Sequence, residues 1–172
     1  MVKKLCILLA VLMMFGCSRS DTRMLDEEKY NAYLTYYQAL LDYENKQTES
    51  DYYTIEVVAN VLAENHYRYD VVLYDPLISM YDVQILAVIE NVSGVMNTDV
   101  MMPSEGIFGD VEYNMIPNQI DRDKNFVAGF DLSLRSEESP IHIDVMVSWK
   151  DKNKTETYKE FFSLVAMAPD ES

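Results

Sequence analysis

Ile141-His-Ile-Asp-Val-Met-Val-Ser-Trp149 carries an apolar side chain at every odd position. Side chains of an extended chain point alternately to two faces, so this pattern is a strand, with Ile141, Ile143, Val145, Val147 and Trp149 on one side. Trp149 ends the inward-facing series and reads as a core plug. Upstream, Phe126, Ala128, Phe130, Leu132 and Leu134 repeat the pattern, as do Val83, Ile85, Ala87 and Ile89. Tyr67, Tyr69, Val71 and Leu73 form another series that stops at the turn signal Asp75-Pro76, and Ile55, Val57, Ala59 and Val61 form the first. Downstream, Tyr158–Val165 is reached across Asp151-Lys-Asn-Lys154, a hairpin turn in which Asn153 is able to take a left-handed backbone. Two short apolar pieces, Val100–Met102 and Val111–Ile116, are bounded by Pro103, Gly106, Gly109 and Pro117 and read as further short strands.

Seven or eight strands with closely spaced turn signals, and no helical period after Tyr52, predict a mainly β chain: an antiparallel β-sandwich over residues 52–166. Over Tyr53–Val165 the pattern resembles that of immunoglobulin-like domains, which implies an immunoglobulin-like sandwich of about seven strands. No cysteine pair accompanies the resemblance. An amphipathic helix within residues 24–46 precedes it. Asp26, Glu27 and Glu28 place negative charge where a helix N-terminus favours it. Tyr30, Tyr33, Leu34, Tyr37, Leu40 and Leu41 recur at three- and four-residue spacing along one face, to about Glu44. The polar Asn45–Asp51 stretch reads as a connection long enough to let the helix fold back on the sandwich. That docking is the expected cover for the stripe; the alternative is an interaction surface formed by Tyr30, Tyr33 and Tyr37. Residues 167–172 read as a flexible tail.

The first residues carry a separate message. Lys3 and Lys4 precede the unbroken apolar run Leu5–Phe15, which Gly16 ends. This is the grammar of a secretory signal peptide, here residues 1–16. The run is too short to span a bilayer, which needs roughly 20 apolar residues. Met14-Phe15-Gly16-Cys17 resembles the lipobox of bacterial lipoproteins. Met14 and Phe15 stand where Leu and a small residue are commoner, while the Gly-Cys pair is intact. The resemblance implies cleavage before Cys17 and a diacylglyceryl group on its thiol, with palmitate among the acyl chains of the anchor. It makes residues 17–23 the lipidated cysteine and tether, and places the rest outside the cytoplasm on the cell membrane. Ser18 would permit outer-membrane sorting in a double-membraned cell. Cys6 leaves with the signal, so Cys17 is then the only cysteine, which excludes a disulfide framework or cysteine metal site within one copy.

Loss of sixteen residues holding two lysines and no acid leaves 156 residues and moves the net charge from −15 to −17. Such an acidic body argues against a nucleic-acid partner. At 49% apolar the chain is too hydrophobic to be disordered. Enzyme motifs are missing. His66 and His142 are the two histidines, neither in a nucleophile–base arrangement, and there is no Gly-rich phosphate loop. Asp121-Arg-Asp123-Lys-Asn125 copies the opening of a calcium loop, but Phe126 replaces its turn glycine and Leu132 its bidentate glutamate. Met96, Met101 and Met102, with Met146 near His142, offer soft ligands but match no copper spacing. No metal or cofactor is expected. The sequence therefore reads as an anchored, non-enzymatic binding or interaction module of the cell envelope, with a protein or envelope partner. A small-molecule or metal-ion-binding lipoprotein, using the acidic loop near Asp121 or the methionines, is the alternative; a hydrolase is the least favoured class.

Overall fold

A computed structural model describes residues 20–89 and 101–169, with side chains from residue 27 onward. Helix α1 spans Ser20–Asp42. Seven strands follow: β1 Thr54–Ala63, β2 His66–Tyr74, β3 Tyr81–Ile89, β4 Ser104–Glu105, β5 Gly129–Ser136, β6 Ile141–Lys150 and β7 Thr157–Ala166. They form two antiparallel sheets, one ordered β1-β2-β5 and the other β4-β3-β6-β7. Strands β3 and β6 are neighbours in the second sheet, although between them in sequence the chain passes through β4 and returns to the first sheet as β5. That is the Greek-key wiring of a β-sandwich.

The core lies where the alternating series places it. Tyr69, Val71 and Leu73 of β2 and Phe130, Leu132 and Leu134 of β5 face Val83, Ile85 and Ala87 of β3, Ile143, Val145 and Val147 of β6, and Phe162 and Leu164 of β7. Each such side chain contributes about 1.5–3 kcal/mol by leaving water. Asp70 on β2 points the other way and is buried. It accepts hydrogen bonds from Asn60 at 3.0 Å, Arg68 at 2.9 Å and Ser133 at 2.6 Å, which tie the outer face of the three-stranded sheet. Tyr69 reaches across the β5–β6 corner to donate to the Glu138 carbonyl at 2.9 Å.

Strands β3 and β6 are buried on both faces, because α1 lies on the outside of their sheet. Tyr33, Tyr37 and Leu40 pack with Leu86, Val88, Ile107 and Met146 in a second apolar cluster. The Tyr33 hydroxyl accepts the Met102 N–H at 2.9 Å, and its ring meets Phe108 at 5.4 Å between centroids. Burial raises the Tyr33 pKa above the ordinary tyrosine value, against the lowering effect of the Met102 N–H. Lys29 ties the same helix to the Phe108 carbonyl at 3.1 Å and to the Asp110 carboxylate, whose pKa it lowers.

Several local expectations are corrected. The helix starts at Ser20 and stops at Asp42 instead of filling residues 24–46. Ser20, Asp21 and Thr22, read as tether, are residues that helix starts favour. The Asn45–Asp51 connection is stitched to the sandwich. Gln47 donates to the Phe161 carbonyl at 2.9 Å and accepts from Ser163 at 3.0 Å, as a single parallel bridge on the free edge of β7. Lys46 pairs with the buried Asp144, and Ser50 donates to Glu160 at 2.8 Å. Met101 and Met102 are not in a strand; the strand there is Ser104–Glu105, and Val100 lies outside the described residues. Asn114, Met115 and Ile116 make isolated bridges only. Pro103 and Pro117 lack the N–H that ladders in those segments would need. Strand β5 starts at Gly129, where a Cβ would lie 2.2 Å from the Leu73 carbonyl oxygen. The left-handed residue of the β6–β7 turn is Lys154, φ 57°, and not Asn153.

Candidate functional site

Three stretches of chain converge beside the lower-numbered half of β7. The end of α1 delivers Tyr43, followed by Asn45 and Gln47; the approach to β1 delivers Tyr52; β6 and β7 deliver Trp149, Tyr158, Lys159, Glu160 and Phe161. They enclose a cleft of about 330 Å³, at the lower end of the roughly 300–1,000 Å³ common for small-molecule sites.

Its rings are fixed by one another. Tyr158 stacks on Trp149 at 5.7 Å between centroids, and Tyr43 stacks on Phe161 at 4.5 Å. Tyr52 meets Trp149 edge-on at 5.8 Å. Trp149 is 2% exposed, yet Tyr43, Tyr52 and Tyr158 remain 43%, 41% and 43% exposed. The three rings therefore present part of their surface to solvent while each is held against a second ring. Beneath them, burial and then the Glu160 carboxylate push the Tyr53 hydroxyl far above the ordinary tyrosine range. The Glu160 carboxylate accepts from Ser50 at 2.8 Å. The ammonium of Lys159 lies over the Tyr36 ring, 4.6 Å from its centroid, on the helix side of the strand. The lining thus combines flat apolar faces with two amides and one carboxylate, which suits hydrogen bonding to a neutral polar ligand.

The residues singled out from sequence are dispersed. Cys17 and Met96 lie outside the described residues. Tyr33 and Tyr37 are buried against the chain's own sheet, and Tyr30 is half-buried, stacked on Tyr33 at 6.4 Å. The stripe considered as an interaction surface is therefore covered from within the chain. Asp121 flanks a 3₁₀ turn, Arg122–Lys124, and pairs with Lys124 at 2.9 Å. Among the described residues no group of three or more His, Cys, Asp and Glu side chains is placed to hold a metal. Met102 and Met146 belong to the cluster under α1, while Met101 is exposed. His66 engages the Glu64 carbonyl at 2.8 Å through Nδ1 and approaches Glu137 at 3.5 Å through Nε2. His142 is exposed on the outer side of β6.

Sequence reading missed the cleft because its members are remote in the chain. The available signal was Tyr43 and Tyr52 standing in an otherwise polar stretch. No protein-family model, curated protein or solved structure matches the chain.

Proposed function

We propose that this chain is a lipid-anchored, extracytoplasmic, non-enzymatic binding module of the bacterial cell envelope, held by a lipid on Cys17. The observation that carries the reading is Gly16-Cys17 closing an apolar run that starts after Lys3 and Lys4. Acyl chains contribute about 0.8 kcal/mol per buried CH₂, so two or three anchor durably. Among the described residues no helix is long and apolar enough to cross a membrane.

The fold supports the same reading. Helix α1 begins at Ser20, only a short step from Cys17, and its far half is packed on the sandwich. A lipid on Cys17 would therefore hold the domain close to the bilayer, with the aromatic cleft as the place where it binds.

The test is fractionation with surface digestion. Wild-type chain should enter the detergent phase and be cut by protease added to intact cells or spheroplasts. Cys17→Ser should stay out of the detergent phase. Protease resistance of the wild type, or unchanged detergent partitioning of Cys17→Ser, would overturn the proposal.

A further inference from the structure

We propose that the cleft between the Tyr43–Tyr52 segment and β7 is a carbohydrate site that takes one or two sugar rings of a neutral or amino-sugar oligosaccharide. The inference rests on the reading of the chain as an envelope binding module and names its ligand class.

A pyranose ring presents a flat patch of C–H groups on one face and pairs of neighbouring hydroxyls around its rim. Its binding site therefore needs flat aromatic faces held in place, with planar amides or carboxylates at their edges. The cleft holds both. Tyr43 stacks on Phe161 and Tyr158 on Trp149, and each keeps 43% of its surface exposed. Asn45, Gln47 and Glu160 line the same cleft. The side-chain amides of Asn45 and Gln47 each offer a donor pair and an acceptor, and Glu160 is an acceptor. That inventory matches hydroxyl pairs, which donate and accept.

Other occupants fit less well. A net charge of −15 and the carboxylate of Glu160 disfavour an anionic polymer. Lys159, the cation in the lining, has its ammonium over Tyr36. A quaternary ammonium would use the rings but leave both amides without a role. A proline-rich peptide needs an open track, whereas Gln47 pairs with Phe161 and Ser163 and bounds this cleft at one end.

Trp149 is the only tryptophan of the chain and lies under Tyr158, so it reports occupancy without a label. The experiment titrates full-length chain in detergent micelles with chitotriose, cellotriose and maltotriose, and with phosphocholine and a proline-rich peptide as comparisons. Trp149 emission is followed and heats are measured by calorimetry. At least one trisaccharide should give a saturable change by both methods. Tyr43→Ala and Tyr158→Ala should each weaken it about tenfold by calorimetry, the loss of one ring contact, while the domain still unfolds cooperatively. No response to any of the three sugars, or saturable binding of phosphocholine or the peptide instead, would overturn the proposal. The wild-type titration decides even if a variant fails to fold. Failure here with a chain that is lipidated and surface-exposed removes the ligand class alone, whereas a chain found in the cytosol removes the reading beneath it.

Discussion

Asp151 organises the β6–β7 turn with one side chain. Its Oδ1 accepts the N–H groups of Thr155 at 2.7 Å and Glu156 at 2.9 Å, and Oδ2 accepts that of Asn153 at 3.2 Å. Capturing three N–H groups wraps the loop around the carboxylate and moves the left-handed residue on to Lys154, whose ammonium meets Glu112. The turn itself was legible from Asp151-Lys-Asn-Lys154, but its register was not, because local preference for Asn loses to a side chain that binds further along. Those hydrogen bonds, the one from Glu156 foremost, hold the Asp151 carboxyl below its usual range. A carboxyl whose pKa is lower in the folded state stabilises the fold above its unfolded pKa. That contribution fades as pH falls through the folded value. Asp151→Ala should therefore lower the urea midpoint at neutral pH, and the gap to wild type should close as the solution is acidified below the ordinary aspartate range. A gap of equal size at every pH would contradict this. Lys46 and Asp144 act differently, since their side chains are 15% and 2% exposed. Removing only the cation leaves a buried carboxylate, so Lys46→Met should cost about 3–5 kcal/mol by chemical unfolding. Lys46→Met with Asp144→Leu should recover most of that loss; no recovery would mean that the pair itself is not the cause.

At the scale of the element, α1 shows what periodicity can and cannot define. Its stripe was legible, and so was the need for a cover. The stripe's edges were not, because a six-residue apolar face is wider than the contact that one sheet offers. Leu40 is 0% exposed and Leu41 38%, although both belong to the sequence pattern. Leu40→Ala should therefore destabilise the fold by about 2–5 kcal/mol, and Leu41→Ala should stay within about 0.5 kcal/mol of wild type, both measured by denaturant unfolding. Equal losses would mean that α1 does not dock in the orientation described. The long strands were legible for the same reason as the stripe, as alternating apolar residues of β2, β3, β5, β6 and β7 supply the inter-sheet core. Strand β4 was not, since Ser104–Glu105 has no alternation and is a strand only through pairing with Leu86 and Ile85.

For the whole molecule, helix, connection and sandwich form one unit, and the cleft exists only because they do. Tyr43 owes its position to the end of α1, Asn45 and Gln47 to the bridge on β7, and Tyr158 to the hairpin that places it over Trp149. Sequence patterns report which faces are apolar, not which remote segments meet at an edge. The fold was therefore readable in advance, while the site was not. In the proposed reading a lipid on Cys17 sets where the chain resides, and with it what the cleft can meet. The direct measurement is the mass of the N-terminal peptide from protein purified out of membranes. Lipidation predicts a chain that begins at Cys17 and carries a diacylglyceryl thioether, with Met1–Gly16 gone. A mature chain whose first peptide retains Met1–Gly16, or begins at Cys17 with a free thiol, would contradict it.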